Sequence, residues 1–178
     1  MSLAPLPAPP ASAQIEAAVA SHATSLSGTW QLDLKRSDPI FAFAGLMGAP
    51  WAIMQAMKLS GESAVTRKLS LSAAGLADSV TTSGVLGNKT ELTTWTWAPF
   101  ERPSPMGMPP NPASLSLDAE GRLVMIVLNK AKALRVETTA ESVAREGAVE
   151  VLTMRLRVTD AAGKEALALR RVFTRKAA

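Results

Sequence analysis

The chain has 178 residues, 47% of them apolar, a formal charge of +4 and no cysteine. That length fits one domain with a tail, and the missing thiols exclude a disulfide framework, a thiolate nucleophile and a cysteine zinc site. The single histidine, His22, excludes most histidine-based metal sites and argues against a Ser-His-Asp triad.

Residues 122–178 hold twelve Lys/Arg against six Asp/Glu, so the positive excess sits in the last third. These charges alternate with apolar residues, as on a solvated β exterior, and no aromatic-rich signature accompanies them. Nucleic acid is therefore not an expected partner. No run of about 20 apolar residues exists, so no transmembrane helix is expected. Residues 1–34 contain no Lys or Arg, which fits neither a transit peptide nor a secretory signal; a cytoplasmic monomer is the expectation.

In chain order, residues 1–13 are Pro/Ala-rich and expected to lack order, with a weak helix over 14–21; residues 1–25 form a tail and 26–178 the domain. The first strand, residues 28–34, alternates Trp30, Leu32 and Leu34 with Thr29, Gln31 and Asp33. Two short helical segments follow. Asp38 can cap the first, with Pro39 at its first position and Gly48 as its stop. Pro50 starts the second, which carries Trp51, Ile53, Met54, Met57 and Leu59 and ends at Gly61. Both are too short and too apolar to stand alone, so they must lie on a greasy surface.

After Gly61 the pattern is β throughout: 65–72, 76–85, 90–98, 113–117, 122–128, 133–140, 149–159 and 166–176, separated by turn chemistry such as Asp160-Ala161-Ala162-Gly163. With the first strand that makes nine, and 76–85 or 149–159 is long enough to hide a tenth. Hairpin spacing without crossover helices predicts a mainly β fold: an antiparallel up-and-down β-barrel of nine to ten strands with a helix-turn-helix lid between the first and second strands. Eight strands just fill with side chains, so somewhat more leave room for a ligand.

Gly28-Thr29-Trp30 opening the first strand, the helix pair over 38–59, the unbroken run of strands and the closing Arg171-Val172-Phe173 resemble the intracellular lipid-binding (fatty-acid-binding) proteins of the calycin superfamily. The resemblance covers roughly 26–176 and lies in pattern more than identity. It implies a non-catalytic carrier of a small hydrophobic ligand, a fatty acid or similar lipid, held inside the barrel with no cofactor or metal. It also implies that Arg171 matches the arginine that holds the ligand carboxylate in that family, and that Arg135 matches a second, assisting arginine. A guanidinium fork suits a carboxylate. Period two puts Leu167, Leu169, Arg171 and Phe173 on one face, consistent with an inward Arg171. For Arg135 the two arguments diverge, because Leu134 and Val136 read as the inward pair and leave Arg135 outside. Phe173 stands where the family has tyrosine and removes a hydroxyl donor. Residues 99–112 have no counterpart in the pattern and read as a surface loop.

Trp95 and Trp97 face the same way, as a cavity wall or as core packing. Trp51, Met54 and Met57 are candidates for an adaptable portal, and Lys58 beside them suggests transient membrane contact. No phosphate-binding glycine loop, nucleophile elbow or metal-ligand spacing appears, so no catalytic residue is named and no enzyme is expected. Two other readings remain: a haem-binding, nitrobindin-like barrel using His22, and an interaction module whose barrel is filled by side chains.

Overall fold

A computed structural model of the chain describes residues 3–84, 87–103 and 109–177. Helix α1 (Ser12–Leu26) leads into strand β1 (Gly28–Leu32), the lid helices α2 (Phe41–Leu46) and α3 (Trp51–Ser60), and nine further strands. These are β2 (Ala64–Ser72), β3 (Gly75–Gly84), β4 (Gly87–Trp95), β5 (Phe100–Arg102), β6 (Asn111–Leu117), β7 (Leu123–Asn129), β8 (Leu134–Glu146), β9 (Val149–Asp160) and β10 (Glu165–Arg175). The ten strands form one antiparallel sheet in the order β4-β3-β2-β1-β10-β9-β8-β7-β6-β5. β1 pairs with both β2 and β10, which wraps the sheet on itself. The free edges meet where Leu115 N–H donates to Thr96 O at 2.8 Å, so the barrel is nearly closed.

The tenth strand is not hidden in a long segment as expected. It is β5, inside the proline-rich stretch. Three residues between Pro99 and Pro103 pair only with β6, so the missing proline N–H groups cost no ladder bond. Val85 and residues 104–108 of that stretch lie outside the described residues.

The lead-in is more structured than its composition predicts. α1 begins directly after the prolines, with Gln14 Oε1 accepting the Ala11 N–H at 2.9 Å. Ile15, Val19 and Ala23, four residues apart, pack with Leu26 against the core and plug one end of the barrel. Trp30 Nε1–H donates to Leu26 O at 2.8 Å, and Arg175 lies 4.2 Å over the Trp30 ring, tying helix to barrel. Farther upstream, Leu3 and Leu6 cover Val124, Ile126 and Leu128 on the outer face of β7. An apolar stripe on both faces of one strand thus explains why a composition typical of disorder lies down on the wall.

At the other end Asp38 does not cap α2. Its N–H donates to Arg170 O, and its carboxylate accepts the Arg170 N–H at 2.6 Å, extending the β1–β10 pairing. α2 therefore starts later than expected, at Phe41. Gly48, at φ +80°, ends it as predicted, and Gly61, at φ +77°, ends α3. Phe43, Leu46 and Met47 pack on Leu134, Val136 and Val158.

Candidate functional site

Inward-facing residues along the barrel axis divide it into two halves. The half beneath α1 is solid: Trp30, Leu115, Leu123 and Leu152 are almost wholly buried and interlock with Ile15, Val19 and Ala23. The half beneath the lid is lined by Leu134, Val136 and Val158, which are buried, and by Leu156 and Leu167, which are partly buried. Between the two lies a polar layer.

That layer begins on β2 and β3. Arg67 shares its face with Leu69 and Leu71, and Asp78 with Leu76, so strand periodicity turns both inward. Their fork is bidentate, Nε to Oδ1 at 2.8 Å and Nη2 to Oδ2 at 2.6 Å. The guanidinium crosses the lumen to the Met154 and Met125 sulfurs at 3.1 and 3.4 Å, and Trp95 Nε1–H donates to Asp78 at 3.3 Å. Sequence reasoning passed over this pair, although the parity of Leu69 and Leu76 carried the signal.

Arg171 stands on the lid side of that layer. It is 8% exposed and shares its inward face with Leu169 and Phe173, which are also buried. Its guanidinium is already engaged. Nη1–H donates to Glu62 Oε2 at 3.1 Å and to Asp38 O, and Nη2–H donates to Glu62 Oε1. Glu62 follows Gly61 at the end of α3, and its Oε2 also accepts the Ile40 N–H ahead of α2 at 3.2 Å. One carboxylate thus ties both lid helices to the barrel wall. Nothing in the sequence pattern singled out Glu62.

Arg135 lies on the outer face, as strand parity indicated and contrary to its family-based match. It bonds Glu137 at 2.7 Å and Pro5 O at 3.2 Å. It lines an outer cleft of about 600 Å³ with Arg122, Arg155 and Arg157. Trp51, one of the portal candidates, is 76% exposed on α3, and Leu59 of the same helix is 89% exposed. Met54 and Met57, in the middle of the same helix, are half-buried. A Cβ on Gly45 would sit 3.3 Å from Met54 Cε, so this methionine packs between the two helices. Trp95 and Trp97 are both buried; Trp97 Nε1–H donates to Ala73 O, and Phe100 meets Trp95 edge-on at 6.0 Å. Both rings stand in the packed wall. His22 sits on α1 with Nε2 3.1 Å from Gly121 O, at the plugged end and away from the lid half.

No family model matches the chain, and no curated protein matches it. Solved structures do. A lipid binding protein, LBP-8, from Caenorhabditis elegans superposes with a TM-score of 0.57 at 14% identity, covering 86% of this chain and 96% of that one. A fatty acid binding protein from Schistosoma mansoni, in complex with arachidonic acid, gives 0.55 at 16% identity, covering 87% and 98%. Human cRBP IV gives 0.53 at 18%, covering 85% and 98%. The chain has the fold of the fatty-acid-binding and lipid-binding barrels. At these identities the likeness is one of fold.

Proposed function

We propose that this protein binds and carries a small hydrophobic, lipid-like ligand in the lid half of the barrel, without catalysis. The observation that supports this reading best is a buried, inward guanidinium, Arg171, set between an apolar wall and a two-helix lid. The apolar wall supplies the affinity: burying a methylene is worth about 0.8 kcal/mol, so a chain of about ten to sixteen carbons reaches micromolar binding after the losses of association. The fold shared with lipid-binding barrels agrees with this reading.

The exposed Trp51 and Leu59, with Lys58 beside them on the same side of α3, form a surface suited to touching a membrane during delivery. No helix among the described residues is long and apolar enough to cross one. A cysteine-free chain fits a reducing compartment, and we place the protein in the cytoplasm as a monomer.

A displacement titration with an uncharged, environment-sensitive fluorescent lipid probe tests the reading. Saturable uptake at micromolar concentration, displaced by unlabelled lipid, is expected. No uptake, and no thermal stabilisation by any long-chain lipid, would contradict it. The solid half beneath α1 favours a second reading, a filled interaction module, and that negative result would select it.

A further inference from the structure

The polar layer is charge-balanced before any ligand arrives. Two inward guanidiniums, Arg67 and Arg171, carry two carboxylates, Asp78 and Glu62, each pair bidentate. The Glu62 side chain is 15% exposed and that of Arg171 10%. A lipid carboxylate entering this half would be a third anion facing two cations already matched. It has two options. It can sit beside Glu62, where like charges repel strongly in a partly desolvated site. Or it can expel Glu62, breaking both contacts to Arg171 and the one to Ile40 N–H, and so unfastening the lid.

A neutral head group faces neither penalty. A carboxylate offers about four lone-pair sites. Glu62 uses one on Oε1, for Arg171, and two on Oε2, for Arg171 and Ile40. One acceptor site remains on Oε1. A ligand hydroxyl or amide N–H would donate to it and leave the ion pair intact.

From this geometry we infer that Glu62 is a specificity-determining residue, which sets the barrel against lipid acids and in favour of neutral lipids bearing a hydroxyl or amide N–H. The inference rests on the lipid-binding reading above and narrows its ligand class. Glu62 acts as a built-in surrogate for the ligand carboxylate, and the lid closes on it.

The test compares oleic acid and oleyl alcohol, which share one chain, by displacement titration on the full chain at a pH where the acid is ionised. Wild type is expected to bind the alcohol more tightly. Glu62→Gln frees the Arg171 fork, so the ratio of acid to alcohol affinity is expected to rise by about tenfold or more. The variant's Tm is expected to fall, because a buried cation is left unpaired, and to recover with the acid more than with the alcohol. If Glu62→Gln does not fold, the double variant Glu62→Gln/Arg171→Gln and the wild-type ratio decide: without the cation the double variant should show no gain for the acid. A wild type that prefers the acid, or a ratio unmoved by Glu62→Gln while both lipids bind, overturns the inference and leaves the lipid-binding reading standing. If neither lipid binds any form, both are overturned.

Discussion

Arginine reads as an exterior residue in most strands, yet three of the buried contacts that define this barrel belong to Arg67, Arg171 and Arg175. Arg67 and Asp78 form a bidentate pair whose side chains are 14% and 4% exposed. Removing one partner of a buried pair leaves the other charge uncompensated. Arg67→Met is therefore expected to lower unfolding free energy by about 3 kcal/mol, while the double replacement Arg67→Met/Asp78→Leu restores at least half of that, as read by urea denaturation. Asp118 behaves differently because it is near the surface. Partial burial pushes its carboxyl up, but hydrogen bonds from the Arg122 backbone and guanidinium, and from the Glu120 N–H, outweigh this and hold it below the ordinary carboxylate range. A carboxyl lowered in the folded state stabilises fully above its unfolded value, about pH 4, and loses that contribution as pH falls through its folded value. The gap in urea midpoint between wild type and Asp118→Asn is expected to be open at neutral pH and to narrow in acid.

Elements follow periodicity where one face is buried, and depart from it where an element borrows a partner. Trp30, Leu32, Leu69, Leu71, Leu152 and Met154 alternate inward, so the strands that carry them were legible in the sequence. β5 was not, because three residues between prolines carry no alternation. The length of α1 was not either, since an Ala-rich helix without a strong apolar stripe gains its order from the barrel end it plugs. Val19→Ala is expected to cost about 1 kcal/mol in denaturant unfolding, more than an unanchored tail residue would. On the lid, Trp51 is 76% exposed and Leu59 89% exposed. Trp51→Ser with Leu59→Ser is expected to leave stability within about 0.5 kcal/mol and to weaken association with anionic lipid vesicles in a flotation assay.

At the scale of the molecule, ten strands wrap into a nearly closed barrel whose two ends are covered by helices. α1 and the tryptophans pack one half; the Arg67–Asp78 layer forms a floor; the lid, fastened through Glu62, roofs the remainder. The sequence showed the barrel, the lid and an inward Arg171, because those depend on local pattern. It did not show that Arg171 is already partnered, because Glu62 reaches it from 109 positions away in the sequence. Nor did it show Arg135 outside with full force, because the family pattern and the strand parity pointed opposite ways. A ligand at about 100 times its dissociation constant is expected to add about 2.7 kcal/mol, a rise in Tm of roughly 5–10 °C for a domain of this size.

The methionines bracket the lid half: Met47, Met54 and Met57 in the lid, Met125 and Met154 at the floor. A methyl-methionine NMR titration with oleyl alcohol is therefore the most direct test of a lipid site beneath the lid. Saturable shifts at Met47, Met57 and Met154 are expected. A spectrum unchanged at saturating lipid, with the lid methyls as in the free protein, would contradict the account.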